Sequence, residues 1–327
     1  MTLALLVALL VFSSYGVASA AGAALVAALW RSSGRLERVT GARGARLLFA
    51  LRAYPPVFGA IAALVVVAPA FVENEPRGGE GGEIGPGLVL VALAGFLPLA
   101  LGLVRGLRSL AATRRVERGL RAQARRLTLP EARLPASRIE HAFPVAALYG
   151  FFRPRLYVAE SVLGSFTPGE LRATCAHERA HAVSHDNVKS LLLRASPDWL
   201  SLLPLGGTIE RAWAQAAEQA ADDAAVSGDP GRRVDLASAL VKVARLVPPG
   251  MRLADSPASF LSGSFLHGGA LSARVTRLLD ASSPEEATSS TAWVLAACLA
   301  ALLAPLAVPH SSRVIYELLE RALHLTF

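Results

Sequence analysis

Apolar residues crowd into four long runs, at about 2–30, 54–72, 88–104 and 292–308, and each is long enough to cross a bilayer as a helix or close to it. Between the third and fourth runs the pattern changes to that of a water-soluble domain. Thr167-Pro168-Gly169-Glu170 is a capping box with proline at the first helical position, and Leu171, Thr174 and Cys175 open an apolar stripe, which predicts a helix from about Pro168 past His181. Ahead of it, Ala142 to Gly150 and Arg155 to Val158 read as two strands joined by a turn near Gly150 and Pro154. Val188 to Leu205 is apolar but interrupted by Lys189, Arg194, Pro197, Asp198 and Pro204, which predicts an amphipathic or re-entrant segment dipping into the inner leaflet. Beyond the helix-favouring run Glu218 to Asp222, loops fall at 228–231 and 248–250, the Ser/Gly-rich stretch 255–269 reads as a flap, and 270–280 as a further helix.

The expected organisation is therefore three transmembrane helices within 1–106, a domain at 107–290, a fourth transmembrane helix at 291–309 and a short external amphipathic tail at 310–327. The second span is expected to open at Pro55-Pro56, because proline suits the first turn of a helix. Composition agrees with a membrane protein: 53% of the 327 residues are hydrophobic, and the mean hydropathy is +0.43. A net charge of +8 suggests nucleic acid as a partner. The arginines instead cluster after the first and third apolar runs, as orientation signals do, so no direct nucleic-acid contact is expected. The clusters put the N-terminus outside and the 107–290 domain in the cytoplasm, with Arg105 to Arg126 on a helix along the anionic leaflet. Ala18-Ser19-Ala20 looks like a signal-peptidase site, yet no Lys or Arg precedes it, so the first run reads as a retained helix. Two cysteines, Cys175 and Cys298, are too few and too badly placed for a disulfide framework.

The chemistry concentrates in His177-Glu178-Arg179-Ala180-His181. Histidines four apart share one helix face, so both imidazoles reach one ion, and the glutamate between them is placed to act as the general base of a zinc metalloprotease. Glu218, in a helix-favouring Glu-Gln-Ala-Ala-Asp run, is the candidate third ligand, leaving the fourth position for water; a solvated acidic helix face is the alternative. Asp222, one turn on, and Asp186 are candidates to orient the ligand histidines. His185 continues the histidine face but is not read as a ligand, and no oxyanion-stabilising residue stands out beyond His185 and His267. Arg155, Leu156, Tyr157 and Val158 are the candidate substrate-binding strand, offering an edge to an extended peptide; the same two strands would equally well only roof the helix pair.

These motifs, in this order, resemble the membrane metallopeptidases of the beta-lactam sensor and antirepressor (BlaR/MecR) type: the Gly-x-x-Arg-Pro-Arg turn at 150–155, Thr167 to Leu171, His177-Glu178-x-x-His181, Asp186-Asn187 and Glu218-x-x-Ala221-Asp222. The resemblance implies an α-helical integral membrane protein with a cytoplasmic α+β gluzincin-type zinc protease domain between its third and fourth transmembrane helices. It implies Zn²⁺ on His177, His181 and Glu218, with Glu178 activating water, and as partners the lipid bilayer and a cytoplasmic protein substrate such as a DNA-binding repressor. A homodimer is compatible with it. The chain departs from the type by having only a short tail, not a penicillin-binding sensor domain, after the fourth run. Heat-shock and prenyl-protein-processing zinc proteases share the helix motifs but fit the spans and the segment from Asp186 to Glu218 less well. The reading is thus a signalling zinc endopeptidase, with a membrane quality-control protease or a non-catalytic zinc-containing transducer as alternatives.

Overall fold

The structure is a computed structural model that describes residues 3–33, 36, 39–74, 85–226, 229–247, 268–280 and 317. The expected fourth transmembrane helix, most of the flap, His267 and Cys298 lie outside the described residues. Among those described, three helices are long and apolar enough to cross a membrane. The first, α1 (Leu3–Ser32), coincides with the first apolar run. The second begins earlier than expected. α2 (Gly41–Ile61) continues through a π-helical stretch, Ala62–Val67, into α3 (Ala68–Asn74), with Pro55 and Pro56 inside it rather than at its start. Arg43, Arg46 and Arg52, which precede the expected start of the second span, are therefore helical. Two prolines cost backbone bonds that neighbouring helices can offset in a packed bundle, so here they do not mark the boundary.

α4 (Pro86–Gln123) carries the third apolar run and most of the following arginines in one unbroken helix. The run of arginines does not stay helical throughout, because Arg125 and Arg126 belong to a strand. α1 and α4 meet at Gly16 and Gly95, where a Cβ on Gly95 would overlap the Phe12 carbonyl. Small residues let the two backbones touch, the usual device for packing helices without a hydrophobic driving force.

Four strands follow: β1 (Arg125–Leu127), β2 (Ala136–Ile139), β3 (Ala146–Tyr149) and β4 (Arg155–Ala159), in the spatial order β1-β2-β4-β3. β2 pairs parallel with β4, and the other two pairings are antiparallel. After the short α5 (Glu160–Ser165) come α6 (Pro168–Ser184), α7 (Asp186–Arg194), α8 (Pro204–Val226), α9 (Pro230–Leu246) and α10 (Gly268–Leu279). One core joins the sheet to α5, α6 and the end of α4. A second joins α1 and α2 to α7 and α8, with Leu47, Leu48 and Leu51 packed against Ile209, Trp213 and Ala217.

The segment between α7 and α8 reaches into the helix bundle. The Tyr15 hydroxyl donates to the Pro197 carbonyl, and Trp199 Nε1 donates to the Gly16 carbonyl at 3.0 Å, both near the middle of α1. Arg105 on α4 donates to the Ser196 and Ser201 carbonyls at 2.8 and 3.1 Å, and Gly102 leaves the room that Ala195 and Pro197 occupy.

The start of α6 forms the full capping box, with Glu170 N to Thr167 Oγ1 at 3.2 Å and Thr167 N to Glu170 Oε2 at 2.7 Å. Glu170 is buried and also accepts from Ser238 Oγ at 2.6 Å and Lys242 Nζ at 2.7 Å on α9. Burial alone would raise its pKa, but the bonds from Lys242, Ser238 and the Thr167 backbone bring it down to about 2. A carboxyl held below its ordinary 4.5 stabilises the fold above that pH and loses the contribution as pH falls toward 2. Lys242→Met should therefore lower the unfolding midpoint clearly at pH 7, and the gap from wild type should close as the pH drops through 4.5 toward 2. Thermal unfolding across that range checks it; a gap that persists unchanged at low pH would show that Lys242 acts through its packing.

Candidate metal centre

α6 places His177, Glu178 and His181 on consecutive turns, and α8, crossing α6, brings Glu218 and Asp222 to the same point. The α6 helix stops at His185, whose backbone is left-handed (φ 56°), and α7 starts at once with Asp186. That turn swings Asp186 back to His181, so that its Oδ2 lies 2.8 Å from His181 Nδ1. On the other histidine, Nδ1 lies 3.0 Å from Asp222 Oδ1. With each Nδ1 facing a carboxylate, both Nε2 atoms are left pointing at Glu218. His177 Nε2 is 3.5 Å from Glu218 Oε2, His181 Nε2 is 3.4 Å from Glu218 Oε1, and the two Nε2 atoms are 3.1 Å apart. Ligands on a tetrahedral zinc at about 2.0–2.1 Å sit roughly 3.3 Å from one another. The three donor groups have that spacing, so this residue set fits a metal ion such as zinc.

The two carboxylates on α8 are held in the charged form. Arg274 on α10 contacts both carboxylates of α8, with Nη1 2.7 Å from Glu218 Oε2 and Nη2 2.6 Å from Asp222 Oδ1. Burial by itself would raise both pKa values. Arg274 and the histidines override it, holding Glu218 well below the usual carboxylate range and Asp222 at about 2. Both are thus ionised, Glu218 as a potential ligand and Asp222 as an acceptor. Glu178 behaves oppositely: burial pushes its pKa up, against the lowering effect of the two histidines. The Leu148 backbone N–H on β3 acts with the histidines to oppose that rise. Cys175, one turn before, is a packing residue, its thiol pushed up to about 12 by burial and by Glu178 and Glu131.

A cavity of about 170 Å³ opens at this cluster, walled by β3 and the preceding Phe143 to Val145 on one side and by Trp213, Ala214 and Leu240 on the other. The strand expected to bind substrate does not line it. Arg155, Leu156, Tyr157 and Val158 sit in β4, which is paired on both sides, and the last three are buried. The sequence reading missed β2, a short strand containing Ser137 and Arg138 that pairs parallel with β4 and removes its edge. The free edge on this side belongs to β3. Asn187 Nδ2 donates to the Leu148 and Gly150 carbonyls at 3.2 and 2.9 Å, so α7 holds the far end of that strand. Val145 O accepts from Ala159 N, across the sheet. By strand alternation Ala146, like Leu148, presents its N–H and C=O to the outer edge, beside Glu178.

His185 is exposed and is not one of the three grouped donors, and His267 lies outside the described residues. Arg274 and Asn187 were not assigned roles from sequence. Asn187 was at least adjacent to a noted Asp186, whereas Arg274 is one arginine among many, 52 residues beyond Asp222, with no local signal.

Residues 110–247 match the family model for Peptidase family M48, a span that takes in all of the sheet, α6 and α8. The match supports a metallopeptidase, a class typically dependent on zinc. It does not confirm the beta-lactam sensor type that the motifs resemble. No curated protein matches the chain.

Proposed function

We propose that the chain is a membrane-tethered zinc endopeptidase that binds an extended segment of a protein substrate along β3 and hydrolyses it on the cytoplasmic side of the membrane. The observation that carries this reading is the juxtaposition of a metal-fitting His₂Glu cluster, a buried carboxylate next to it, and an open strand edge one residue pair away. His177, His181 and Glu218 would hold the metal, with Asp222 and Asp186 fixing the histidine rings by their Nδ1 atoms. A bound zinc supplies Lewis acidity and lowers the pKa of a coordinated water. Glu178 takes the proton from the attacking water as its oxygen bonds to the scissile carbonyl carbon. It then delivers that proton to the amine nitrogen as the C–N bond breaks. Its raised pKa suits both halves of that task. Ala146 pairs with the substrate backbone, setting the scissile bond beside Glu178.

Ala146→Pro tests the edge. It removes one N–H that faces the cleft while leaving the β3–β4 ladder, which uses the neighbouring residues, intact. Cleavage of unfolded casein should fall about tenfold or more in kcat/KM, as the loss of one or two main-chain bonds implies, while metal content stays unchanged. Equal cleavage by Ala146→Pro and wild type would place the substrate elsewhere.

The physiological substrate in this reading is a cytoplasmic regulator such as a DNA-binding repressor, and the arginines at the ends of α1 and α4 favour a cytoplasmic domain. A quality-control role is favoured by one observation, the penetration of 195–202 between the membrane helices, which keeps the domain against the bilayer. Comparing proteomes of wild-type and Glu178→Ala cells separates the two. Stabilisation of one or a few soluble regulators supports signalling; broad accumulation of membrane proteins with no regulator among them supports quality control.

A further inference from the structure

A second cavity, of about 820 Å³, lies over β1, β2 and β4 and takes none of its lining from β3 or the histidine helix. Its floor follows from the strand register. Arg126 on β1 pairs with Ser137 on β2, and Ser137 with Tyr157 on β4, so these three side chains stand in one row on one face of the sheet. Arg155, two residues before Tyr157, shares that face, and its Nη1 donates to Ser137 Oγ at 3.3 Å. Arg121 reaches in from the end of α4. Three guanidinium groups thus converge on one cavity. Of these, Arg121 has an acidic partner, Glu117 at 2.7 Å, whereas Arg126 and Arg155 have none among the described residues. Tyr157 is fully buried, and its hydroxyl, beside Arg121, makes no well-formed hydrogen bond. A buried hydroxyl without a well-formed bond is costly, and it lines a cavity whose charged groups are all guanidinium donors.

From this geometry we propose that the cavity is a binding site for a small organic phosphate, with Arg126, Arg155 and Arg121 holding the phosphate, Tyr157 donating to it, and Leu129 and Leu134 receiving the apolar body of the ligand. Planar guanidinium forks match phosphate oxygens in pairs, and the size lies in the range of small-molecule sites. A phospholipid headgroup offers the same chemistry. Soluble and bilayer-held phosphates used side by side distinguish the two sources.

Titration calorimetry on the full chain in mild detergent tests the site with three probes: inorganic pyrophosphate, ADP, and lipid nanodiscs with or without phosphatidic acid. ADP is expected to bind saturably below millimolar concentration, with pyrophosphate weaker, and affinity should fall with added salt. Arg126→Gln and Arg155→Gln should each weaken binding about tenfold, and Tyr157→Phe by less, consistent with charge-assisted against neutral hydrogen bonds. Arg126 is exposed, so its variant leaves the fold intact, and an unchanged unfolding midpoint verifies that. Binding confined to phosphatidic acid, and lost in the same variants, keeps the phosphate site and assigns it to lipid. No saturable binding of any probe, or binding indifferent to both arginine substitutions, overturns the proposal.

Discussion

Glu178→Gln should lower kcat by about 10²–10⁴-fold, the range that positioned general bases contribute, while the protein keeps about one zinc per chain. Glutamine preserves the side-chain volume and keeps a carbonyl oxygen, but it cannot take a proton. Because burial disfavours the charged glutamate at this position, the neutral variant should also unfold no more easily than wild type. Glu218→Ala is the contrasting case. It removes one of three donor groups, strands Arg274 beside Asp222 alone, and should lose both metal and activity. Casein hydrolysis, elemental analysis and an unfolding scan on the same three preparations make the comparison. Retained activity in Glu178→Gln would move the base elsewhere, and loss of its metal would make Glu178 a ligand.

The parts of this site that sequence could disclose are those fixed by local geometry. Histidines four apart must share a helix face, and Thr167 with Glu170 must start that helix, so α6 was legible to within a few residues. Glu218 was legible because it lies in an alanine-rich helix with Asp222 one turn on. Pairings between distant segments were not. Arg274 meets Asp222 only through tertiary packing, and nothing around it distinguishes it from Arg277. β4 was misjudged as an edge because its neighbour β2 is four residues long, half polar, and joined to it by a parallel pairing that leaves no hairpin signature. Similarly, the Pro55-Pro56 pair reads locally as a helix start, and only the packing of α2 against α1 and α8 shows why the helix runs through it.

Arg52 is another such residue, and its removal should cost about 3–5 kcal/mol, the penalty of leaving a buried acid unpaired. It lies on α2 with no exposed surface, bonded to the equally buried Asp198. Arg52 Nε donates to Glu210 Oε1 and Nη1 to Ser196 Oγ, both at 3.0 Å. Asp198 in turn accepts from the Ser196 hydroxyl and from Ser201 N at 3.1 Å. The arginine thereby ties a helix long and apolar enough to cross a membrane to both the 195–202 segment and α8. Glu210 precedes Glu218 by eight residues on α8, about 12 Å along the helix, so loosening this contact should also weaken metal binding at Glu218. Arg52→Met leaves Asp198 charged and buried. Arg52→Met/Asp198→Asn removes both charges of the fully buried pair, leaving only the partly exposed Glu210 without its arginine, and should recover at least half of the lost stability, because a buried pair replaced as a pair costs far less than a pair broken. Unfolding of the two variants and wild type in one detergent, together with zinc retention against a chelator, measures both effects. A single variant within about 1 kcal/mol of wild type would mean that water reaches Asp198 when Arg52 is gone. A double variant no better than the single would mean that Arg52 acts through its contact with Glu210, and so directly on the helix that carries the metal ligand.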